Sequence, residues 1–358
     1  AYAKISASSG ASTLSNLEGC FTLATSVTDE LRISYMGYNP LVVRADSLLP
    51  VVSLQPMTRV IDEISVQGFS GGISRVLEKV RRQLMSNRFS KNARRSQYFF
   101  RLTNIEDRRK EIAEAFVEAN SNINLRQIEV FSGKHFSTGE ASSDSLAQLL
   151  TSSNLHYILS LAPMIQDVPA WTNLHTPLSV WKNTRSLLRE GRYAVSSGRL
   201  CDSEGHTLYS IEFTPTAAAQ HEKVLSGTLY VDSASLRLLS FDGTLHGYSL
   251  RLNYGNDEEP RVIPLQMQLH VDYGYERGYA EVETIRCTMG HGHTSVRMLM
   301  FNLQDDRLHV KRSIPVQGNL ITAIKKAGNE AAYWTKEIIL RTEEEERIAQ
   351  NEGDKREP

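Results

Sequence analysis

Cysteine is scarce in this chain of 358 residues: Cys20, Cys201 and Cys287 are odd in number and far apart. That spacing excludes a disulfide framework and a CxxC-type zinc site, and leaves room for one bridge at most. An excess of charge of either sign is also missing, since 40 Lys and Arg stand against 41 Asp and Glu. A near-neutral chain is a poor match for nucleic acid as a main partner. Long hydrophobic runs are absent too. The longest apolar stretch, Leu155 to Ile165, falls well short of the roughly 20 residues that cross a bilayer, so no transmembrane segment is expected. What is present is ordinary globular material, 41% hydrophobic and 23% charged. The chain is longer than one hydrophobic core usually organises, which predicts two or more domains.

The first 66 residues carry short segments with strand character, punctuated by turn residues: Ala3 to Ile5, Cys20 to Leu23, Leu31 to Tyr35, Leu41 to Arg44 and Val51 to Leu54. Close, regular spacing of this kind predicts a small β-sandwich. Asn16-Leu17-Glu18-Gly19 reads as a turn whose glycine takes positive φ, and Gly37 as a bend between Tyr35 and Tyr38.

The motifs in this segment resemble a known family. The run Thr13 to Asn16, then Gly19-Cys20-Phe21-Thr22-Leu23, then Leu31 through Tyr38, is similar to the carboxypeptidase regulatory-like domain; so are the later Val52 to Pro56 and Ile61 to Val66. The resemblance implies a transthyretin-like β-sandwich without catalytic residues, in an exported protein of Gram-negative bacteria. It also implies a location in the periplasm or at the outer membrane, with the signal sequence outside this sequence. The family's opening strand and its Gly-x-Pro turn have no counterpart here, so the sandwich is expected to present a free pairing edge.

After Gly71-Gly72 the period changes. Ile73, Val76, Leu77, Val80 and Leu84 recur at three and four residues and predict an amphipathic helix from Ile73 to about Met85. Strands are expected at Tyr98 to Thr103, Ile112 to Glu118 and Leu125 to Phe131, and a second helix at Leu178 to Leu188. From Tyr209 the chain alternates as hairpins do: Tyr209, Ile211 and Phe213 on one face, and later Met267, Leu269, Val271 and Tyr273, with Gln268, His270 and Asp272 on the wet side. The segment Gly227 to Asp232 resembles the lipoprotein-carrier (LolA/LolB-like) half-barrel. Tyr333-Trp334 through Glu345 is similar to a tail found in exported proteins that carry the regulatory-like domain.

Several constellations could carry chemistry. Gly68-Phe69-Ser70-Gly71-Gly72 fits G-x-S-x-G between a strand and a helix, but a nucleophile elbow needs a mostly parallel sheet, and the hairpins downstream are antiparallel. Cys287, His291 and His293 share a parity and could ligate zinc from one strand; no fourth ligand accompanies them, and Gly290 and Gly292 suggest a bend. Arg75 to Lys110 is rich in basic residues with Tyr98, Phe99 and Phe100 nearby, which reads better as a solvated helix face plus core aromatics than as a nucleic-acid patch. Glu281/Glu283 and Asp305/Asp306 read as solvent-facing strand positions and a turn. Trp171 and Trp181, with Pro163, Pro169 and Pro177, mark a long connection, Ala162 to Pro177, of a kind that covers a ligand pocket or caps the core.

These readings combine into a mainly β protein. A sandwich over 1–66 and a linker at 67–72 lead into a larger curved antiparallel sheet with one or two packed helices over 73–342, followed by a polar tail at 343–358. The function expected is non-enzymatic work in the cell envelope, through protein or ligand interaction and without a cofactor. The alternative is a carrier that holds an apolar molecule in the concavity of the large sheet, with a hydrolase or metalloenzyme as the third reading.

Overall fold

The computed structural model describes residues 2–60, 71–88, 94–106, 109–121, 125–139, 193–217, 224–247, 249–252, 261–264, 266–276, 278–291, 294–303, 308–334 and 338–353. Ile61 to Val66, Ser70, Trp171, Trp181, the helix expected at Leu178 to Leu188, His293, Asp305 and Asp306 lie outside the described residues.

The fold is mainly β, as the alternation predicts. A small antiparallel sheet comprises β1 (Lys4–Ala7), β2 (Ser12–Leu14), β3 (Glu30–Ser34) and β4 (Leu41–Arg44), in the order β2-β1-β3-β4. β5 (Thr58–Val60) and α1 (Gly71–Arg88) follow, then β6 (Arg94–Ile105), β7 (Lys110–Ser121), β8 (Leu125–Thr138), β9 (Tyr193–Cys201), β10 (Thr207–Pro215), β11 (Val224–Asp232) and β12 (Leu238–His246). A short hairpin of β13 (Ser249–Leu252) and β14 (Arg261–Pro264) precedes β15 (Gln266–Gly274), β16 (Glu281–His291), β17 (Thr294–Asn302) and β18 (Ile314–Pro315). The chain ends in α2 (Leu320–Ala327) and α3 (Glu343–Gly353). Twelve strands form one sheet in the order β18-β8-β7-β6-β17-β16-β15-β12-β11-β10-β9-β5. Its pairings are antiparallel throughout the described residues, which removes the context a nucleophile elbow at Ser70 requires.

The N-terminal unit is one sheet layer where a sandwich is expected. Cys20 to Leu23 and Val51 to Leu54 join no ladder, although the second keeps its alternation, with Val52 and Leu54 half-buried and Val51 and Ser53 exposed. Alternation states which side chains turn inward; a strand also needs a partner for its backbone groups. β5 leaves the N-terminal unit and pairs with β9 at the margin of the large sheet.

One face of the large sheet is apolar and filled. Ile73, Leu77 and Val80 of α1 join it, the spacing that predicts the helix. Leu229, Phe241, Met267, Val271, Met289 and Val296 are all at 0% exposure. These side chains border no space large enough for water. α2, with Asn319 Oδ1 accepting the Thr322 N–H at 3.0 Å, lies close on β8, where a Cβ on Gly133 would stand 2.6 Å from Ile324 Cγ2. The sequence reading does not anticipate α2.

The other face carries the N-terminal sheet and the C-terminal segment. Phe99, Phe116, Phe131, Leu299 and Phe301 pack with Leu14, Tyr333 and Ile339, and the Trp334 ring meets Phe116 at 4.8 Å between centroids. Glu343 to Gly353, expected as a polar tail or, beyond Arg347, a frayed helix, is helical. Thr342 and Glu345 form a capping box, Thr342 N–H donating to Glu345 Oε2 (3.0 Å) and Glu345 N–H to Thr342 Oγ1 (3.2 Å), and Ile348 and Ala349 are buried.

The basic stretch is largely paired. Arg81 and Arg82 meet Glu78, Arg95 meets Glu118 and Glu129, Arg109 meets Glu111 and Lys110 meets Glu344, while Tyr98, Phe99 and Phe100 are core. The Glu281/Glu283 expectation needs correction. Glu281 is buried and accepts from the Ser96 hydroxyl and Asn302 Nδ2 of neighbouring strands of the large sheet, and Glu283 pairs with Lys4 of the N-terminal sheet at 3.0 Å.

Candidate functional site

The zinc reading fails at its first ligand. Cys287 lies on β16 opposite Met298 and Leu269, within the filled apolar face, at 1% exposure. Burial pushes its thiol up to about 12, so on its own it is protonated at neutral pH. β16 continues through Gly290 to His291, and β17 begins antiparallel to it at Thr294; Gly292 and His293 lie outside the described residues. All three cysteines are free, with Cys20 exposed and Cys201 intermediate. A thiol reagent at neutral pH is expected to titrate Cys20 quickly, Cys201 more slowly and Cys287 only after unfolding. Release of all three in the native protein would contradict this placement.

Asp202, Glu204 and His206, in the turn between β9 and β10, bring their ligand atoms within 4.8 Å of one another. Asp202 is engaged there as a turn former, accepting from the Glu204 N–H (2.9 Å) and the His206 N–H (2.8 Å).

A recess opens in the N-terminal unit, between its sheet and its two extended segments, with Arg286 of the large sheet at its floor. It has a volume of about 1140 Å³. Ile5 and Ile33 of the small sheet, Phe21, and Leu48, Val52 and Leu54 supply apolar walls; Leu17, Tyr38, Leu49 and Val51, all exposed large hydrophobics, stand at its rim. Isolated exposed hydrophobics need no explanation, but several around one apolar recess mark a binding surface.

Local chemistry holds these walls in place. Asn16 is buried, and its Oδ1 accepts the Glu18 N–H (3.0 Å) and the Cys20 N–H (2.9 Å) while Nδ2 donates to the Arg341 carbonyl (3.2 Å). Gly19 completes that turn at φ 90°, as its place in the sequence predicts. The second wall is pinned by the Met57 N–H to the Gly37 carbonyl (2.9 Å) and the Asn39 N–H to the Gln55 carbonyl (2.7 Å). Asn39 Oδ1 in turn accepts the Ser203 N–H at 2.9 Å, tying the unit to the hairpin of β9 and β10.

The floor is polar and aromatic. Arg286 of β16 rises between the rings of Tyr2 and Tyr35, 5.0 and 5.6 Å from their centroids. Tyr35 also stacks on His270, 6.4 Å away and 6° from parallel, and meets Tyr38 edge-on at 5.7 Å. His270 is read from the sequence as a wet-face residue; the N-terminal sheet buries it. Its Nε2 lies 3.0 Å from Asp272 Oδ1, which also accepts from Ser240 Oγ at 2.8 Å. Burial disfavours the imidazolium, but Asp272 and Asp242 outweigh it, and the His270 pKa stands above the ordinary 6.5. Tyr2 holds a left-handed backbone at φ 62°, a strained setting for an aromatic residue.

Tyr2, Tyr35, Tyr38 and Arg286 have no place in the sequence reading of sites. The signal available is parity: Arg286 alternates with the apolar Ile285 and Cys287 and so faces away from the apolar layer. What covers that opposite face is a tertiary fact.

No family model matches this chain, so the resemblance of its first 66 residues to the carboxypeptidase regulatory-like domain finds no support there. No curated protein matches it either. Among solved structures, a DUF1329 family protein from Desulfovibrio piger is similar over 65% of this chain and 94% of its own, at 11% identity and a TM-score of 0.23. A score that low carries no argument about function.

Proposed function

We propose that this is a non-enzymatic protein of the Gram-negative cell envelope, periplasmic or associated with the outer membrane, that works by binding, and that the recess in its N-terminal unit is the binding site. The carrying observation is an apolar recess of about 1140 Å³ walled by Ile5, Ile33, Val52 and Leu54 and rimmed by exposed Leu17, Tyr38, Leu49 and Val51. The volume lies just above the range of about 300–1000 Å³ common for small-molecule pockets. The carrier reading, with its ligand against the large sheet, is less favoured, because side chains at 0% exposure fill the apolar face there. Envelope location rests on the sequence resemblance alone.

The test is titration of the full chain with the neutral apolar fluorophore N-phenyl-1-naphthylamine. Saturable binding is expected in the wild type and its loss in Val52→Trp and Ala3→Trp, which fill the recess from opposite walls. Undiminished binding in both folded variants, or no binding in the wild type, contradicts the reading.

A further inference from the structure

Among the described residues that line the recess, Arg286 is the one cation. Two ring faces hold its guanidinium, and Nε is buried without a hydrogen-bond partner. Aromatic faces attract the charge from above and below, but they leave the in-plane N–H groups unsatisfied, and those groups form a rigid fork that fits a carboxylate. His270, directly opposite on β15, is occupied by Asp272 below and Tyr35 above. The carboxylate among the lining residues, Glu18, is exposed in the turn that Asn16 organises. The recess thus presents apolar side chains along its walls and, at its floor, a guanidinium set against two tyrosine rings and near Asp272, with its Nε still without a hydrogen-bond partner.

We propose that the recess binds a free single-chain amphiphile with a carboxylate head, the head on the Arg286 guanidinium and the chain along Ile33, Val52 and Leu54. This rests on the reading of the recess as the binding site and deepens it by naming the ligand class.

The experiment is displacement of N-phenyl-1-naphthylamine from the full chain by dodecanoate, dodecanol and acetate, each below any micelle-forming concentration, in wild type, Arg286→Gln and Arg286→Lys. A charge-assisted hydrogen bond predicts dodecanoate ahead of dodecanol by about tenfold or more in the wild type. Near parity is expected in Arg286→Gln and an intermediate preference in Arg286→Lys, read in each protein as the ratio of its dodecanoate to its dodecanol affinity; acetate, lacking the chain, should displace nothing. Equal affinity of dodecanoate and dodecanol in the wild type overturns the ligand class while leaving the recess as a binding site. A carboxylate preference that survives in Arg286→Gln overturns the role of Arg286. Failure of the fluorophore itself to bind overturns the underlying reading. Phosphatidylglycerol vesicles form the last arm: absence of co-sedimentation is expected, and Arg286-dependent retention would overturn a free amphiphile in favour of a membrane surface.

Discussion

Glu114→Gln is expected to destabilise the protein by about 3–5 kcal/mol, the cost of removing one partner from a buried ion pair. Glu114 is 2% exposed and receives two guanidiniums: Arg101 Nε at 2.8 Å, and Arg341 through Nη2 at 2.6 Å and Nε at 3.2 Å. Arg101 also donates to the Ile339 and Leu340 carbonyls and lies 3.4 Å from Glu345, which accepts from Thr103 Oγ1 at 2.6 Å. The substitution keeps the shape and leaves two cations sharing fewer anions beneath the C-terminal segment. Since that segment also receives Thr13 and Asn16 of the N-terminal unit, one wall of the recess should loosen with it. The same group sets an acid limit. Burial raises the Glu114 pKa, but Arg101 and Arg341 outweigh it and hold the carboxyl below the ordinary 4.5. Its contribution is therefore complete above pH 4.5 and lost as pH falls through the lower folded value. Chemical denaturation of wild type and Glu114→Gln from neutral to acid pH checks both claims. The two curves should converge as the wild type is acidified; a difference below about 1 kcal/mol at neutral pH contradicts the network's role.

The second large effect belongs to the apolar face. The Phe241 ring is at 0% exposure, stacks on Phe213 at 6.1 Å, and lies across two glycines of paired strands, Gly243 and Gly227. A Cβ on Gly243 would stand 2.3 Å from Phe241 Cζ and 2.2 Å from the Ser226 carbonyl oxygen, so the glycines make the seat for the ring. Phe241→Ala is expected to cost about 3–5 kcal/mol, and Gly243→Ala about 1–3 kcal/mol by overpacking. Equilibrium unfolding of each variant measures this. If Gly243→Ala proves neutral, the close approach is not a constraint on the sheet.

The parts legible in the sequence were those set by local period. Ile73, Leu77 and Val80 announce α1, and Met267, Leu269, Val271 and Tyr273 announce both a strand and its buried face. Residues whose role depends on a distant partner were misread. His270 looks wet until Tyr35 covers it, Glu281 looks solvent-facing until Ser96 donates to it, and the run from Glu343 looks like a tail or a frayed helix until α3 docks on the large sheet. The alternation of Val51 to Leu54 gave the correct inward side chains, but for a wall of the recess and not for a sandwich strand. Arg286 was invisible as a site residue because its meaning comes from two tyrosines on other elements.

The most direct test of the central claim is where a bound apolar chain lies. A photoactivatable diazirine analogue of dodecanol, cross-linked to the full chain at saturation and mapped by mass spectrometry, reports this. The account predicts labels in the peptides around residues 17–23 and 48–57, competed by N-phenyl-1-naphthylamine. Labels concentrated on the apolar face of β10 to β15, or scattered without competition, would contradict it.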